Sequence, residues 1–322
     1  MRTKNIIEVR DRKPFYTTTY GGAYLADSME VLRSLKPNTV SLVMTSPPFP
    51  LVFEKEYGNV RPEAYIEWLL GYAKEIQRVL RDDGSFVLDV GGAWDRGRPT
   101  KSLYQYELLV ALCRRVGFFL AQDFFWYRPA TLPAPAEWVT VRRVRVKDAV
   151  NHVFWLSKTE SPKADNRRVL QPYSPDMLRL LKRGYRAKER PSGHNITHKF
   201  GKDHGGSIPS NVFKFPVPNG NGCEVDNLIE MGNNDSNGSY LKACRDAGLK
   251  PHPARFPAGL PEFFIKMLTD EGDIVLDPFA GSNVTGAAAE KFSRRWIAIE
   301  LREDYLLASR FRFQQPQLKL VD

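Results

Sequence analysis

A chain of 322 residues with 42% hydrophobic and 12% aromatic content can bury a sizeable core, which excludes global disorder. The net charge of +10 and the pI near 9.4 favour a polyanionic partner, because solvated Lys and Arg gain from phosphate contact, although a merely basic enzyme has the same balance. The N-terminus is polar and no apolar run approaches about 18 residues, so neither a signal peptide nor a membrane span is expected.

Apolar, β-rich runs alternate with helical patterns up to residue 157, the signature of a mostly parallel sheet. Strands are predicted over 22–25, 40–44, 85–89, 121–127 and 152–156. Between them, Ile66, Leu69, Leu70, Ala73, Ile76 and Leu80 give 64–80 a helical face that ends at Asp82-Asp83-Gly84. A second helix is predicted over 103–116, closed by Gly117.

The rhythm stops near Lys158. Residues 158–199 hold eleven Lys or Arg against four acids, and residues 219–239 hold six Asn and four Gly, which reads as turns and loops. From Arg255 the rhythm resumes, with helices at 260–268 and 284–292 and strands at 273–277 and 296–300. The expected organisation is one α/β domain in two sequence halves, 1–157 and 251–322, interrupted by a basic region at 158–250 that is too long for a structureless loop inside a core.

Two motifs carry the chemistry. Thr45-Ser46-Pro47-Pro48-Phe49 follows a buried strand, and its two prolines stiffen a turn that presents a hydroxyl, carbonyls and an aromatic face. Those groups suit a flat base with an exocyclic amine. The second motif, Asp277-Pro278-Phe279-Ala280-Gly281-Ser282, follows another strand, and Gly281 allows the backbone close to a ligand while Ser282 or Asn283 can cap the next helix. Glu300 ends the following strand, where an acid typically accepts both hydroxyls of a ribose. Gly-x-Gly-x-x-Gly is absent, so a nucleoside without phosphates, such as S-adenosylmethionine, fits better than a dinucleotide. An ordinary tight turn with a solvated Glu300 is the plain alternative.

With these motifs the chain resembles the DNA amino-methyltransferases in which the catalytic tetrapeptide precedes the cofactor motif (class β), and among them the PvuII-type cytosine-N4 enzymes. The resemblance also rests on Pro135-Ala136-Glu137-Trp138-Val139-Thr140, Arg142-Arg143-Val144-Arg145-Val146-Lys147-Asp148 and His252-Pro253-Ala254-Arg255-Phe256-Pro257, and with the strand pattern covers most of residues 20–313. It implies a doubly wound Rossmann-like sheet of about seven strands, one of them reversed near its edge, with the strands ending at Met44 and Leu276 side by side.

By that resemblance Ser46 and the Pro47 carbonyl accept from the target amine, Pro48 stiffens the turn, and Phe49 stacks on a flipped base. Thr45, Asp277, Phe279, Gly281 and Ser282 belong to the cofactor site, Glu300 holds the ribose, Asp27 lies near the adenine, and Arg255 meets the methionine end. The basic region becomes a recognition region in which Arg167, Arg168, Lys182, Arg183, Arg186, Lys188 and Arg190 contact double-stranded DNA. Arg142, Arg143, Arg145 and Lys147 alternate with valines, which fits either a half-buried strand with a solvated face or a phosphate-binding strand near the base pocket.

Ser46 points, by family pattern, to cytosine N4 rather than adenine N6, although a hydroxyl can accept from either amine. Carbon methylation needs a Cys nucleophile, usually in Pro-Cys, and none of Cys113, Cys223 and Cys244 follows a proline. The odd number and wide spacing of these cysteines fit free thiols in a reducing cytoplasm. No metal is expected, since His194, His198 and His204 lie in Gly-rich sequence without a Cys partner. Methylation of RNA or of protein glutamine and a catalytically dead DNA-binding module are the other readings, whereas the DNA amino-methyltransferase reading implies functional pairing with a restriction endonuclease.

Overall fold

A computed structural model describes residues 9–10, 12–50, 60–128, 132–184, 201–214, 229–230, 236–313 and 319–320. Its strands are β1 (Tyr16–Thr17), β2 (Gly21–Leu25), β3 (Val40–Thr45), β4 (Leu80–Val90), β5 (Phe119–Tyr127), β6 (Val150–Ser157), β7 (Val212–Lys214), β8 (Ile229–Glu230), β9 (Ile274–Asp277), β10 (Arg295–Glu300) and β11 (Lys319–Leu320). They form one sheet in the order β11-β1-β2-β10-β9-β3-β4-β6-β5-β7-β8.

The seven expected strands are its centre. From β2 through β10, β9 and β3 to β4 all neighbours are parallel, and β6 runs antiparallel between β4 and β5. Short strands widen the sheet at both edges, so eleven are present among the described residues rather than seven. The late strands β9 and β10 insert between the early β2 and β3, so the two sequence halves close one sheet together.

Both faces of the sheet are covered, which explains why every residue of β3 is buried. Successive β3 side chains alternate between two cores. Val43 joins α1 (Ser28–Ser34), α2 (Pro62–Val79) and α3 (Tyr104–Ala111) on one face. Leu42 and Met44 join α6 (Gly259–Leu268), α7 (Val284–Lys291) and α8 (Glu303–Ser309) on the other. The apolar stripe read for 64–80 is that of α2, which buries Leu69, Leu70, Ala73 and Ile76. Asp82-Asp83-Gly84, read as a helix end, instead lies inside β4, where the pairing with β3 shifts register. The helix predicted over 103–116 is α-helical to Ala111 and then widens into a π-turn that stops at Gly117, at φ 91°.

The described parts of the basic region touch the sheet at several places. Residues 166–169 turn against α6, α4 (Pro175–Arg183) is largely exposed, and β7 and β8 prolong the sheet beyond β5. Part of the Asn- and Gly-rich stretch read as loop belongs to β8 and to α5 (Ser236–Asp246), which packs on residues 310–312.

Candidate active site

β3 and β9 lie side by side, with Val43 opposite Leu276, so both motifs leave the sheet at the same end. Open α/β sheets gather ligands at this carboxyl edge. The two turns are clasped together by Asp277, which accepts from the Thr45 hydroxyl at 2.6 Å, the Thr285 hydroxyl at 2.7 Å and the Phe279 N–H at 3.1 Å. Burial pushes the Asp277 carboxyl up to about 6 against these donors. Asp277 and Thr45, expected in the cofactor site, are therefore fully buried behind it and hold its wall, because their polar atoms are used on each other.

In front of the clasp is a cavity of ≈ 460 Å³, a size that suits a nucleoside with a flat base beside it. One wall is the β9 turn and the end of β10. Gly281 has φ 51°, and a Cβ there would come within 3.1 Å of the His252 ring. Its N–H donates to Glu300 at 2.8 Å, while the Arg302 N–H donates to the other Glu300 oxygen at 3.0 Å. The Leu301 N–H also faces this carboxylate, and with about four acceptor positions it still has room for a ribose hydroxyl. Burial raises the Glu300 pKa. Phe279 packs its ring on Trp68 and Tyr72, at 5.5 and 5.0 Å between centroids.

Asp27, also on the cavity, caps α1 by accepting from the Met29 N–H at 2.7 Å. Arg255 lines the cavity too and donates to the His252 carbonyl, and its buried Nε has no hydrogen-bond partner among the described residues. Ser282 faces the cavity and takes two bonds from Arg312, whose guanidinium stacks 4.2 Å over Tyr240 of α5. A close-approach glycine, a half-buried acid with a spare acceptor and an orphaned guanidinium donor together fit the ribose and the amino-acid carboxylate of S-adenosylmethionine.

The opposite wall carries Ser46, Pro47, Pro48 and Phe49. The Ser46 hydroxyl donates to Asp89 at 3.0 Å, and the other Asp89 oxygen accepts from Asn151 Nδ2 at 3.1 Å. Burial drives the Asp89 carboxyl up to about 6, opposed by the Asn151 and Ser46 bonds and the Arg128 charge. Sequence reading missed Asp89, Asn151 and Arg128, all of which line the cavity. Asp89 had a visible signal: it closes a predicted buried strand on an acid, as Asp277 does.

Phe49 depends on a glycine. Gly91, held just past β4 by Tyr104, which donates to its carbonyl, has the Phe49 ring where its Cβ would be, 2.5 Å from Cε2. Gly91→Ala is expected to push Phe49 off the wall and to lower the unfolding free energy by about 1–3 kcal/mol, measured by denaturant titration. Unchanged stability together with unchanged activity would show that the ring has another resting place.

The basic candidates among the described residues are spread over several places. Arg167 pairs with Asp165 and Arg168 with Asp270, each at 2.8 Å. Asp270 precedes β9, so this pair sits at the amino end of the sheet, opposite the cavity, and serves as a structural tie rather than a cleft contact. Lys182 and Arg183 are exposed in the last turn of α4. Arg186, Lys188 and Arg190 lie outside the described residues, as do His194, His198 and Cys223.

Residues 142–147 are not a strand. Residues 137–141 form a π-turn, Arg143 has φ 55°, and the Trp138 carbonyl accepts the Val144 and Arg145 N–H groups, which folds the chain back. Arg142 lies 4.9 Å over the Trp138 ring and pairs with Glu137, and Arg145 donates to the Pro99 carbonyl. Arg142, Arg143, Arg145, Val144 and Val146 are all exposed. Among the described residues, no helix is long and apolar enough to cross a membrane, and no cluster of three or more His, Cys, Asp or Glu could hold a metal.

A Rossmann-like sheet whose central strands end in an acid-anchored glycine turn beside a Ser-Pro-Pro-Phe turn defines the class, and the chain belongs to the DNA methylase family, whose model matches residues 40–310. It is 50% identical over 305 residues to the type II methyltransferase M.PvuII of Proteus hauseri, spanning 94% of this chain and 86% of that protein. The solved structure of PvuII DNA methyltransferase (cytosine-N4-specific) matches with a TM-score of 0.73 and 43% identity, over 96% of this chain and 92% of that one. A more distant relative is the DNA adenine methyltransferase YhdJ of Escherichia coli (strain K12), 24% identical over 87% of this chain and 78% of that protein.

Proposed function

We propose that this protein is an S-adenosylmethionine-dependent DNA methyltransferase that modifies the N4 amine of a cytosine flipped out of a specific duplex site. The observation that carries the reading is the Ser46–Asp89 pair at the mouth of a cavity whose other wall suits the cofactor, in a chain half identical to M.PvuII. Glu300, Gly281, Phe279 and Arg255 would hold S-adenosylmethionine, which when bound supplies an electrophilic methyl group.

The chain's own residues prepare the amine. Conjugation with the ring makes its lone pair a poor nucleophile. Because the Ser46 hydrogen is committed to Asp89, the Ser46 oxygen presents lone pairs to the cavity and, with the Pro47 carbonyl, accepts the amine hydrogens and draws them out of the ring plane. That localises the nitrogen lone pair, and the stiff Pro47-Pro48 turn holds the acceptors in place. The amine must also lose one proton, and Ser46 relays it to Asp89, whose raised pKa suits it as the acceptor. Phe49 offsets the stacking that the base loses on leaving the duplex.

Residues 1–157 and 251–322 form the catalytic unit and 158–250 the target-recognition region. Lys182, Arg183, Arg186, Lys188, Arg190 and the exposed Arg142, Arg143 and Arg145 are the candidate phosphate and base contacts. The protein works in the cytoplasm, where it protects DNA from a restriction endonuclease of matching specificity.

Adenine N6 is the second reading, favoured by the similarity to YhdJ. Digesting DNA treated with the full-length protein and S-adenosylmethionine, then measuring nucleosides by mass spectrometry, separates the two. N4-methylcytosine is expected; N6-methyladenine alone would overturn the assignment.

A further inference from the structure

Ser46 cannot by itself tell cytosine from adenine, because both bases offer an exocyclic amine beside a ring-nitrogen acceptor. We propose that Arg128 makes the choice, by donating to the carbonyl oxygen that the cytosine edge carries and the adenine edge lacks. This inference rests on the reading of the protein as a base-flipping amino-methyltransferase.

A chain of hydrogen bonds across three strands fixes the polarity of this wall. Asp89 at the end of β4 is acceptor-only when ionised, and its two oxygens take Ser46 at 3.0 Å and Asn151 Nδ2 at 3.1 Å. With its nitrogen turned to the carboxylate, Asn151 turns its Oδ1 to Arg128, whose guanidinium is 3.5 Å away. A flipped Asn151 amide would set oxygen against carboxylate, so this orientation is the stable one. The result is an acceptor at Ser46 and a donor at Arg128, both on the cavity and joined through buried groups.

Backbone geometry places Arg128 as firmly. It directly follows β5, its N–H donates to the Ala149 carbonyl at 2.6 Å, and Tyr127 pairs with Val150 at the start of β6. Its guanidinium lies 5.2 Å from the Trp126 ring centroid, a contact that limits its tilt. A guanidinium carries five N–H donors in a planar fork, a geometry that can serve more than one acceptor.

The edge of cytosine reads donor, acceptor, acceptor from N4 through N3 to O2. The edge of adenine reads donor, acceptor, C–H from N6 through N1 to C2. Acceptor at Ser46 and donor at Arg128 complement the first pattern along its full length. Against adenine, the Arg128 donor would meet a C–H group where cytosine offers a carbonyl, and sites built to hydrogen-bond a group reject analogues that lack it.

The test compares two duplexes carrying the protein's own methylation site, located by sequencing DNA from an expressing host, with either cytosine or adenine at the target position. Arg128→Met is expected to lower kcat/KM on the cytosine duplex by about 30-fold while leaving the low rate on the adenine duplex unchanged, so the preference collapses. Arg128→Lys, which keeps a charged donor, recovers part of the preference. Calorimetry with S-adenosylmethionine reports folding independently, and an unchanged Kd is expected for both variants. Equal losses on the two duplexes together with weaker DNA binding would overturn the proposal, since Arg128 would then hold a phosphate. A wild-type protein that forms only N6-methyladenine would instead remove the reading beneath it before any variant is compared.

Discussion

Asp89→Asn is expected to lower kcat by about 10²- to 10³-fold while leaving the Kd for S-adenosylmethionine unchanged. Asp89 is buried, holds the Ser46 hydroxyl hydrogen at 3.0 Å, and so decides which way Ser46 points its lone pairs. An asparagine there keeps the volume but offers one acceptor oxygen where two are used, and turns donors toward either Ser46 or Asn151. Either way, one link in the wall is lost and the amine acceptor is no longer fixed.

The same group gives a pH dependence with a definite sign. Burial keeps Asp89 protonated up to about 6. Below that pH the neutral carboxyl can donate to Ser46, which occupies the lone pair meant for the amine and blocks proton relay. Above it the carboxylate accepts, and the wall has the right polarity. Wild-type kcat is therefore expected to fall as the pH drops through 6, and the inflection should be missing from Asp89→Asn. Single-turnover rates across pH 5 to 8 are the measurement. Near-wild-type single-turnover rates in Asp89→Asn would mean that Ser46 needs no such partner.

The strands and the meeting of the two motifs were legible because they rest on local signals. Period-two alternation and short apolar runs mark β3 and β9, and turn residues mark where each chain segment leaves the sheet. The Ser46–Asp89–Asn151–Arg128 chain was not legible. It joins residues 43, 62 and 23 positions apart through a strand order that only the folded sheet defines. Charge runs say less about place for a related reason. Arg167 and Arg168 look like neighbours of Lys182 in sequence, but Arg168 pairs with Asp270 ahead of β9, while Arg167 stays exposed beside Asp165. The valine and arginine alternation at 141–147 failed because alternation makes a strand only where a neighbour supplies backbone partners, and here Trp138 supplies them within the loop.

The second large effect falls on the other wall. Glu300→Ala is expected to raise the Kd for S-adenosylmethionine by about 100-fold, measured by calorimetry, which combines lost charge-assisted hydrogen bonds with a loosened turn. Glu300 is the common acceptor for the Gly281 and Arg302 N–H groups, so its removal orphans backbone donors beside the ligand as well as any ribose hydroxyls. Glu300→Gln should be milder, at about tenfold, because its amide oxygen still serves one donor while its NH₂ opposes the other.

Burial raises the Glu300 pKa, so affinity should fall on acidification at a pH above that at which an exposed glutamate titrates, and Glu300→Gln should show no such fall. Ser46→Ala is the matching control. It lies on the amine wall, so it should lose turnover and keep the wild-type Kd. A Ser46→Ala protein that lost cofactor affinity as Glu300→Ala does would show that the two walls are not separable, and that the Thr45–Asp277 clasp between them transmits the loss.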